Sequence, residues 1–148
     1  MAGSELVAAL GTVDLFHGLS PKVLAHIAEV GHEATYDAGT VVIVQGDSVT
    51  GFKAFSPAGV EMHVILAGTA RVDVDGVTHT HLGPGQYFGE VALIDGQPRS
   101  ADVTAGDGGL TTLALSKWTF DALLEKHPEV AVPMLRVLAA RLRQVEHP

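Results

Sequence analysis

A segment in the second half of the chain combines the residue types that hold a phosphate group. It runs from Phe88-Gly89-Glu90 through Val91 and Ala92 to Pro98-Arg99-Ser100-Ala101. A phosphate site needs backbone N–H groups that converge on one point, and the start of a helix supplies them together with a favourable dipole. Gly89 permits a close backbone approach, and residues 91–94 can form one helical turn. The sequence therefore predicts an anion site at the turn that follows Gly89.

Arg99 is the cation that such a site requires, because a guanidinium pairs with two phosphate oxygens through parallel hydrogen bonds. It is the only lysine or arginine between Arg71 and Lys117, and the hydroxyl of Ser100 follows it directly. Glu90 would repel a phosphate, so its carboxylate suits a sugar hydroxyl that donates a hydrogen bond. These residues predict a ligand with a sugar at one end and a single phosphate at the other. From its position alone, Arg99 is equally well interpreted as a solvated surface side chain.

The elements that must position these residues follow one another as helices, strands and helices. Residues 6–33 show helical spacing broken by turns, with Ser20-Pro21 as a helix start. Residues 35–116 contain short Val-, Ile- and Thr-rich runs separated by glycine turns, and Asp75-Gly76 is a two-residue hairpin signal. The predicted strands are 40–44, 62–66, 70–74, 77–82, 101–104 and 110–115. The expected fold is mainly β: one domain with an antiparallel, jelly-roll-like barrel over residues 35–116, N-terminal helices, and C-terminal helices over residues 118–146.

The last helix carries a seam of apolar residues. Leu135, Leu138, Leu142 and Val145 are spaced three, four and three residues apart, which is the a/d pattern of a helix that packs against another helix. Two interpretations remain open: the helix packs on its own barrel, or it forms a dimer contact. Pro133 is expected to kink the helix or to end it on its N-terminal side, which would divide it into two pieces.

Composition limits the classes of function. A chain of 148 residues without cysteine has room for one core and fits a reducing, cytoplasmic setting. Its N-terminus lacks the basic start and apolar stretch typical of a secretory signal, so none is expected, and no apolar run is long enough to span a membrane. The net charge of −8 argues against a nucleic-acid surface, because phosphate binding needs a basic field.

The segment around Gly89 resembles the phosphate-binding cassette of the cyclic nucleotide-binding domain family, found in catabolite activator proteins and in protein kinase A regulatory subunits. The family pattern is Phe-Gly-Glu-aliphatic-Ala-Leu, a variable loop, and then Pro-Arg-(Ser/Thr/Ala)-Ala. The matching residues are Phe88, Gly89, Glu90, Val91, Ala92, Leu93, Pro98, Arg99, Ser100 and Ala101. The resemblance extends over residues 14–143, including Gln45-Gly46-Asp47, Leu66-Ala67-Gly68 and Pro128-Glu129-Val130.

The resemblance implies a role for each matching residue. Glu90 would accept the ribose 2′-hydroxyl, and Arg99 would pair with the cyclic phosphate. The N–H groups of Gly89, Val91 and Ala92 would complete the phosphate cradle with the Ser100 hydroxyl. Val72 matches a position that packs on the purine, and His79 or Thr80 is expected to line the base. In this family a threonine after the arginine often accompanies cGMP preference, so Ser100 favours cAMP and leaves cGMP open.

Two departures from the family qualify these expectations. Residues 49–60 are about ten residues longer than the usual family turn at this place, which suggests a surface loop, a flap or a docking loop. The sequence stops at Pro148, soon after the helix that serves the family as lid and dimer contact, so the chain is expected to be either a stand-alone sensor or a fragment. We expect ligand binding to be signalled either through a homodimer formed by this helix or through an effector protein.

Two other functions compete with a cyclic nucleotide sensor. A family-shaped barrel that has lost its ligand would act as an interaction module. A cupin-type metal barrel is suggested by His63, His79 and His81, although Glu90 follows His81 at the wrong spacing for a cupin ligand and these histidines are otherwise expected to be exposed or half-buried. No nucleophile–base pair or paired acid stands out, so the sequence predicts a binding protein without cofactor or metal, not an enzyme.

Overall fold

The computed structural model describes residues 3–49 and 60–146 of the chain. The N-terminal part forms α1 (Gly3–Gly11), a 3₁₀ turn (Asp14–Phe16) and α2 (Pro21–Val30). Helix α2 begins as the sequence predicts: Ser20 is the N-cap, its side chain accepts a hydrogen bond from the N–H of Val23, and Pro21 occupies the first turn. The buried apolar side chains of these elements pack against one side of the barrel.

The strands form one antiparallel sheet that curls into a barrel. They are β1 (His32–Tyr36), β2 (Val41–Ile43), β3 (Glu61–Val74), β4 (Val77–Leu82), β5 (Tyr87–Phe88) and β6 (Asp102–Ser116), in the order β1-β6-β3-β4, with β2 paired to β6 and β5 paired to β3. Asp75 and Gly76 both have positive φ and join β3 to β4, as the hairpin signal predicts. Between β5 and β6 lies the short helix α3 (Glu90–Asp95). The predicted barrel fold is confirmed.

Two predicted pairs of strands are single long strands. The predicted strands 62–66 and 70–74 belong to β3, and the predicted strands 101–104 and 110–115 belong to β6. The pairing of β3 with β6 shifts register after Ile65 and again after Gly68. Gly68 has a φ of 81°, and a Cβ atom there would lie 2.1 Å from the carbonyl oxygen of Gly109. Glycine is therefore required where the two strands cross closely.

The register shifts change which residues face which side of the sheet. In β3, Met62 and Val64 belong to the cluster that the helices cover, whereas Ile65 and Ala70 belong to the cluster inside the barrel. Ile65 and Ala70 share a face although they are five positions apart, an odd offset that regular alternation would place on opposite faces. The irregularities let one strand bend around the barrel while both apolar clusters stay filled.

The C-terminal part consists of α4 (Lys117–Lys126), a 3₁₀ turn (Pro128–Val130) and α5 (Ala131–Glu146). Pro133 lies in the first turn of α5, where a missing N–H group costs nothing, so the helix begins just before Pro133, as one of the two predicted outcomes has it, and continues to Glu146. The predicted a/d seam is wrong in one respect, because Leu138 packs against the helix-covered cluster while Leu135 and Leu142 are exposed.

The predicted insertion at residues 49–60 falls mainly on residues 50–59, which lie outside the described residues, so its role as a loop or flap stays a prediction. No helix within the described ranges combines the length and the apolarity that a membrane crossing requires.

Candidate functional site

The turn at Gly89 places the start of α3 against the barrel wall. Gly89 has a φ of 88°, and a Cβ atom there would lie 3.0 Å from the carbonyl oxygen of Glu61 and 3.2 Å from Nη1 of Arg99. Glycine is needed both for the left-handed backbone and for this close approach. No side chain caps the first turn of α3. The backbone N–H groups at the start of α3 can therefore bond to another acceptor.

Arg99 lies beside this turn and is buried, with 8% of its surface exposed. Its Nη1 donates a hydrogen bond to the carbonyl oxygen of Gly89 at 2.8 Å, and its Nη2 donates to the carbonyl oxygen of Glu61 at 2.9 Å. Burial lowers the pKa of Arg99, and the carboxylates of Asp47, Glu90 and Glu61 oppose that shift. Arg99 is therefore not the solvated surface side chain that its position alone also allowed.

The backbone of Arg99 is hydrogen-bonded to the turn Gln45-Gly46-Asp47, one of the segments that resemble the family. The N–H of Arg99 donates to the carbonyl oxygen of Asp47 at 2.9 Å, and the carbonyl oxygen of Arg99 accepts from the N–H of Gly46 at 2.8 Å. The N–H of Gln45 donates to the carboxylate of Asp102 at 2.7 Å. The turn at residues 45–47 is thus tied to the segment at residues 99–102, which fixes the direction in which the Arg99 side chain leaves the backbone.

Glu90 is the first residue of α3 and is 1% exposed. Its Oε1 accepts a hydrogen bond from Nη1 of Arg141 at 2.6 Å, and Arg141 belongs to α5. A buried carboxylate needs such a partner, because an uncompensated buried charge is costly. The C-terminal helix therefore contacts the carboxylate that the resemblance assigns to a sugar hydroxyl.

Tyr87 lies next to this ion pair. Burial, with smaller contributions from the negative charges of Glu90 and Asp14 and against the opposing charge of Arg141, raises the pKa of its phenol to about 12. Its hydroxyl is buried and has no hydrogen-bond partner among the described residues. Tyr87 thus leaves a polar atom available at the place where α5 meets the strand before the Gly89 turn.

An aromatic stack lines the inside of the barrel behind Arg99. The ring of His63 stacks on Phe88 with centroids 5.0 Å apart and meets the edge of Tyr36 at 6.1 Å. Nδ1 of His63 lies 2.9 Å from the hydroxyl oxygen of Thr112. Burial, together with the smaller effect of the positive charge of Arg99, lowers the pKa of His63 to about 3. The ring of His63 is therefore neutral near pH 7.

The remaining predicted site residues lie around the same part of the barrel. Val91, Ala92 and Leu93 are in α3, and Ala92 and Leu93 are buried. Ser100 is exposed and Ala101 half-buried, directly after Arg99.

On β3, Val72 packs against the cluster inside the barrel, and Thr80 on β4 pairs directly with Val72 in the sheet. His79 sits where the pairing of β3 with β4 shifts register.

The histidines of the metal hypothesis are not brought together as a site. His63 is buried in the aromatic stack, which makes the expectation of an exposed or half-buried histidine wrong, while His79 and His81 are exposed on β4. Within residues 3–49 and 60–146, no three histidine, aspartate or glutamate side chains form a group that could hold a metal ion.

Sequence reasoning missed Arg141, Glu61 and His63 as parts of this site. Arg141 follows Leu138 by three residues and Met134 by seven, and both of these pack on the core. An arginine on the inner face of a helix was the available signal, because a charge placed there needs a buried partner. No comparable signal marks the carbonyl group of Glu61, since any residue type offers one.

Comparison with known proteins gives one family. The model of the cyclic nucleotide-binding domain matches residues 33–127. A cyclic nucleotide-gated potassium channel of Mesorhizobium japonicum is 36% identical over 127 residues, which is 86% of this chain and 31% of the channel. The cyclic AMP receptor protein of Thermus thermophilus is 31% identical over 137 residues, which is 89% of this chain and 58% of that protein. The chain thus spans less than two thirds of the length of each.

A solved structure supports the fold. The co-crystal structure of the regulatory domain of Toxoplasma gondii PKA with cAMP superimposes with a TM-score of 0.74 at 22% identity, covering 94% of this chain and 49% of that one. At that identity the likeness shows the shared barrel and its flanking helices.

Proposed function

This chain belongs to the cyclic nucleotide-binding domain family. We propose that it binds a cyclic nucleotide beside α3 and Arg99, with a higher affinity for cAMP than for cGMP. One observation supports this most directly. A buried guanidinium and a buried carboxylate, nine positions apart in sequence, flank one glycine turn whose helix start has no side-chain cap. The family's ligand chemistry fits these groups, because a cyclic phosphate needs the cation and the N–H groups, and a ribose hydroxyl needs the carboxylate.

The ligand phosphate would take over hydrogen bonds that Arg99 now gives to backbone carbonyl groups. A charged phosphate oxygen is a stronger acceptor than a neutral carbonyl, and hydrogen bonds to charged groups contribute about 1.5–3 kcal/mol each. Arg99 is held at the turn by its own backbone hydrogen bonds, so little ordering is required on binding. Several such bonds give micromolar affinity, about −8 kcal/mol, after the costs of association. Ser100, exposed beside Arg99, supports the preference for cAMP through the family pattern alone.

The mechanism that we propose is a population shift of α5. The ribose hydroxyl and Arg141 compete for the same carboxylate, Glu90, so a bound ligand weakens the contact that ties α5 to α3. A ligand can move this equilibrium only by its difference in affinity for the two positions of the helix. The readout of the movement would be a partner of the C-terminal helix, either a second copy or an effector protein.

The test is calorimetry with cAMP on matched arginine variants. We expect Arg99→Leu to lose about 2–4 kcal/mol of binding free energy, because a partly buried phosphate would be left without its cation. Arg71→Leu is the control, since Arg71 is an exposed arginine of β3 that pairs with Asp73. Circular dichroism checks that both variants fold, and Arg99→Lys, which keeps the charge, should lose less than Arg99→Leu.

Two results would contradict the proposal. Equal cAMP affinity in the wild type and in Arg99→Leu would remove Arg99 from the site. No binding of cAMP or cGMP to the wild type would favour the interaction module, a barrel that keeps the family's fold without its ligand.

A further inference from the structure

The outer face of α5 carries an apolar stripe that no described part of the chain covers. Val132, Leu135 and Leu142 are 47%, 63% and 58% exposed, and Ala139 is also exposed. Their spacing of three, four and three residues places all four on one side of the helix. The side with Met134, which adjoins the stripe at Leu138, packs on the core. Helix α5 therefore has a broad apolar surface, and only its inner part has a partner among residues 3–49 and 60–146.

Two arginines border this stripe on one side. Arg136 and Arg143 directly follow Leu135 and Leu142, seven residues apart, and both are exposed. If Leu135 and Leu142 are the d positions of a heptad, the arginines are the e positions, which select the partner in paired helices. Residues 131–144 contain three arginines and no acid, although the whole chain has a net charge of −8. Within the described ranges, the third arginine, Arg141, bonds to Glu90 on the inner side.

This charge pattern favours a different partner over a second copy of the helix. In a parallel pair of identical helices each e position faces a g position, and the g positions here are Ala131 and Leu138. In an antiparallel pair the arginines would face each other. Neither arrangement gives Arg136 or Arg143 an acidic partner, and like charges at such positions are destabilising.

We propose that the stripe Val132-Leu135-Ala139-Leu142 binds an amphipathic helix of another protein whose apolar seam is flanked by glutamate or aspartate. The leucines would bury against that seam, and the partner's acids would pair with Arg136 and Arg143. The negative charge of the rest of the chain does not prevent this, because the Debye length is about 8 Å at physiological ionic strength and the local arginines dominate at contact. The surface lies outside the ligand site, so the inference does not depend on which nucleotide binds.

The test is an NMR titration of the isotope-labelled full chain with two synthetic peptides. Both contain about three heptads with leucine at a and d, one with glutamate and the other with lysine at e and g. We expect the glutamate peptide to shift the amide signals of residues 131–146 and to bind at least about tenfold more tightly than the lysine peptide. Neither peptide pairs well with itself, because its e and g charges repel.

Matched variants separate the two parts of the surface. Leu135→Ser with Leu142→Ser should abolish the shifts, and both sites are too exposed for the fold to depend on them. Arg136→Glu with Arg143→Glu should reverse the preference toward the lysine peptide. Lys22→Glu, which changes an exposed cation on α2, should leave both affinities unchanged.

Three outcomes would overturn the inference. The peptides could bind equally well, or the arginine reversal could leave their order unchanged, and either result removes the charge selectivity. Gel filtration could instead show a dimer of the wild type that Leu135→Ser dissociates, together with no peptide binding. That result would assign the stripe to self-association.

Discussion

At the scale of single residues, the site contains buried charges that already have partners. Arg99 bonds to two carbonyl groups and Glu90 bonds to Arg141. Burying either charge alone would cost several kcal/mol, so these contacts explain how both charges remain inside the protein. A ligand that replaces them exchanges one set of partners for another and does not have to stabilise a bare charge.

His63 makes stability depend on pH. Its pKa is about 3 in the folded protein, below the value of 6.5 for an exposed histidine, because burial disfavours the imidazolium. Below pH 6.5 the unfolded chain binds a proton that the folded chain does not, so the contribution of His63, fully present above 6.5, is lost as the pH falls toward 3. Between pH 7.5 and pH 5 we expect a loss of about 2 kcal/mol from this residue.

Urea unfolding at the two pH values measures this loss. His63→Gln keeps a hydrogen-bonding group opposite Thr112 without a titrating ring, so its stability should fall less over the same range. His81→Gln, on exposed β4, is the control and should follow the wild type. An unchanged pH dependence in His63→Gln would show that other groups cause the loss.

At the scale of elements, α5 connects the site to the surface. Its inner side packs on the core and holds Glu90 through Arg141, while its outer side carries the exposed stripe. Movement of the one helix would therefore change the site contact and the presented surface together.

Arg141→Gln tests this connection. We expect faster hydrogen exchange in residues 131–146 without ligand, because the bond to Glu90 is weakened, and a cAMP affinity raised about threefold to tenfold, because the competitor for Glu90 is weaker. Arg143→Gln is the control, since Arg143 is exposed on the same helix. Unchanged exchange in residues 131–146 on adding cAMP to the wild type would refute the helix movement, whatever the affinity.

The sequence predicted elements well where the pattern is local and poorly where it depends on distant pairing. The cap at Ser20, the hairpin at Asp75-Gly76 and the turn of helix after Gly89 follow from residues a few positions apart. The continuity of β3 through Gly68 does not follow from nearby residues, because a glycine normally ends a strand pattern. The presence of glycine at position 68 is explained only by the close approach of Gly109 on β6. The role of Arg141 was hidden for the same reason, since its partner lies 51 residues away.

At the scale of the whole molecule, binding and folding are linked. A ligand that binds only the folded state stabilises it by mass action, by about 2.7 kcal/mol at a concentration one hundred times Kd. The thermal midpoint should therefore rise with cAMP concentration and not with 5′-AMP, which lacks the cyclic phosphate. Differential scanning fluorimetry gives the measurement, and Arg99→Leu should show little shift. Equal shifts with both nucleotides would argue against recognition of the cyclic phosphate.

The alternation of β3 between the two apolar clusters limits how this barrel can change in length. Because Met62 and Val64 face the helices while Ile65 faces the interior, one inserted or deleted residue before Ile65 would exchange the two linings. His63 and Glu61 would turn toward the helices, and methionine and valine would turn toward the barrel interior. Natural variation in length should therefore collect in the turns between strands, where an added residue leaves the order of inward and outward side chains intact.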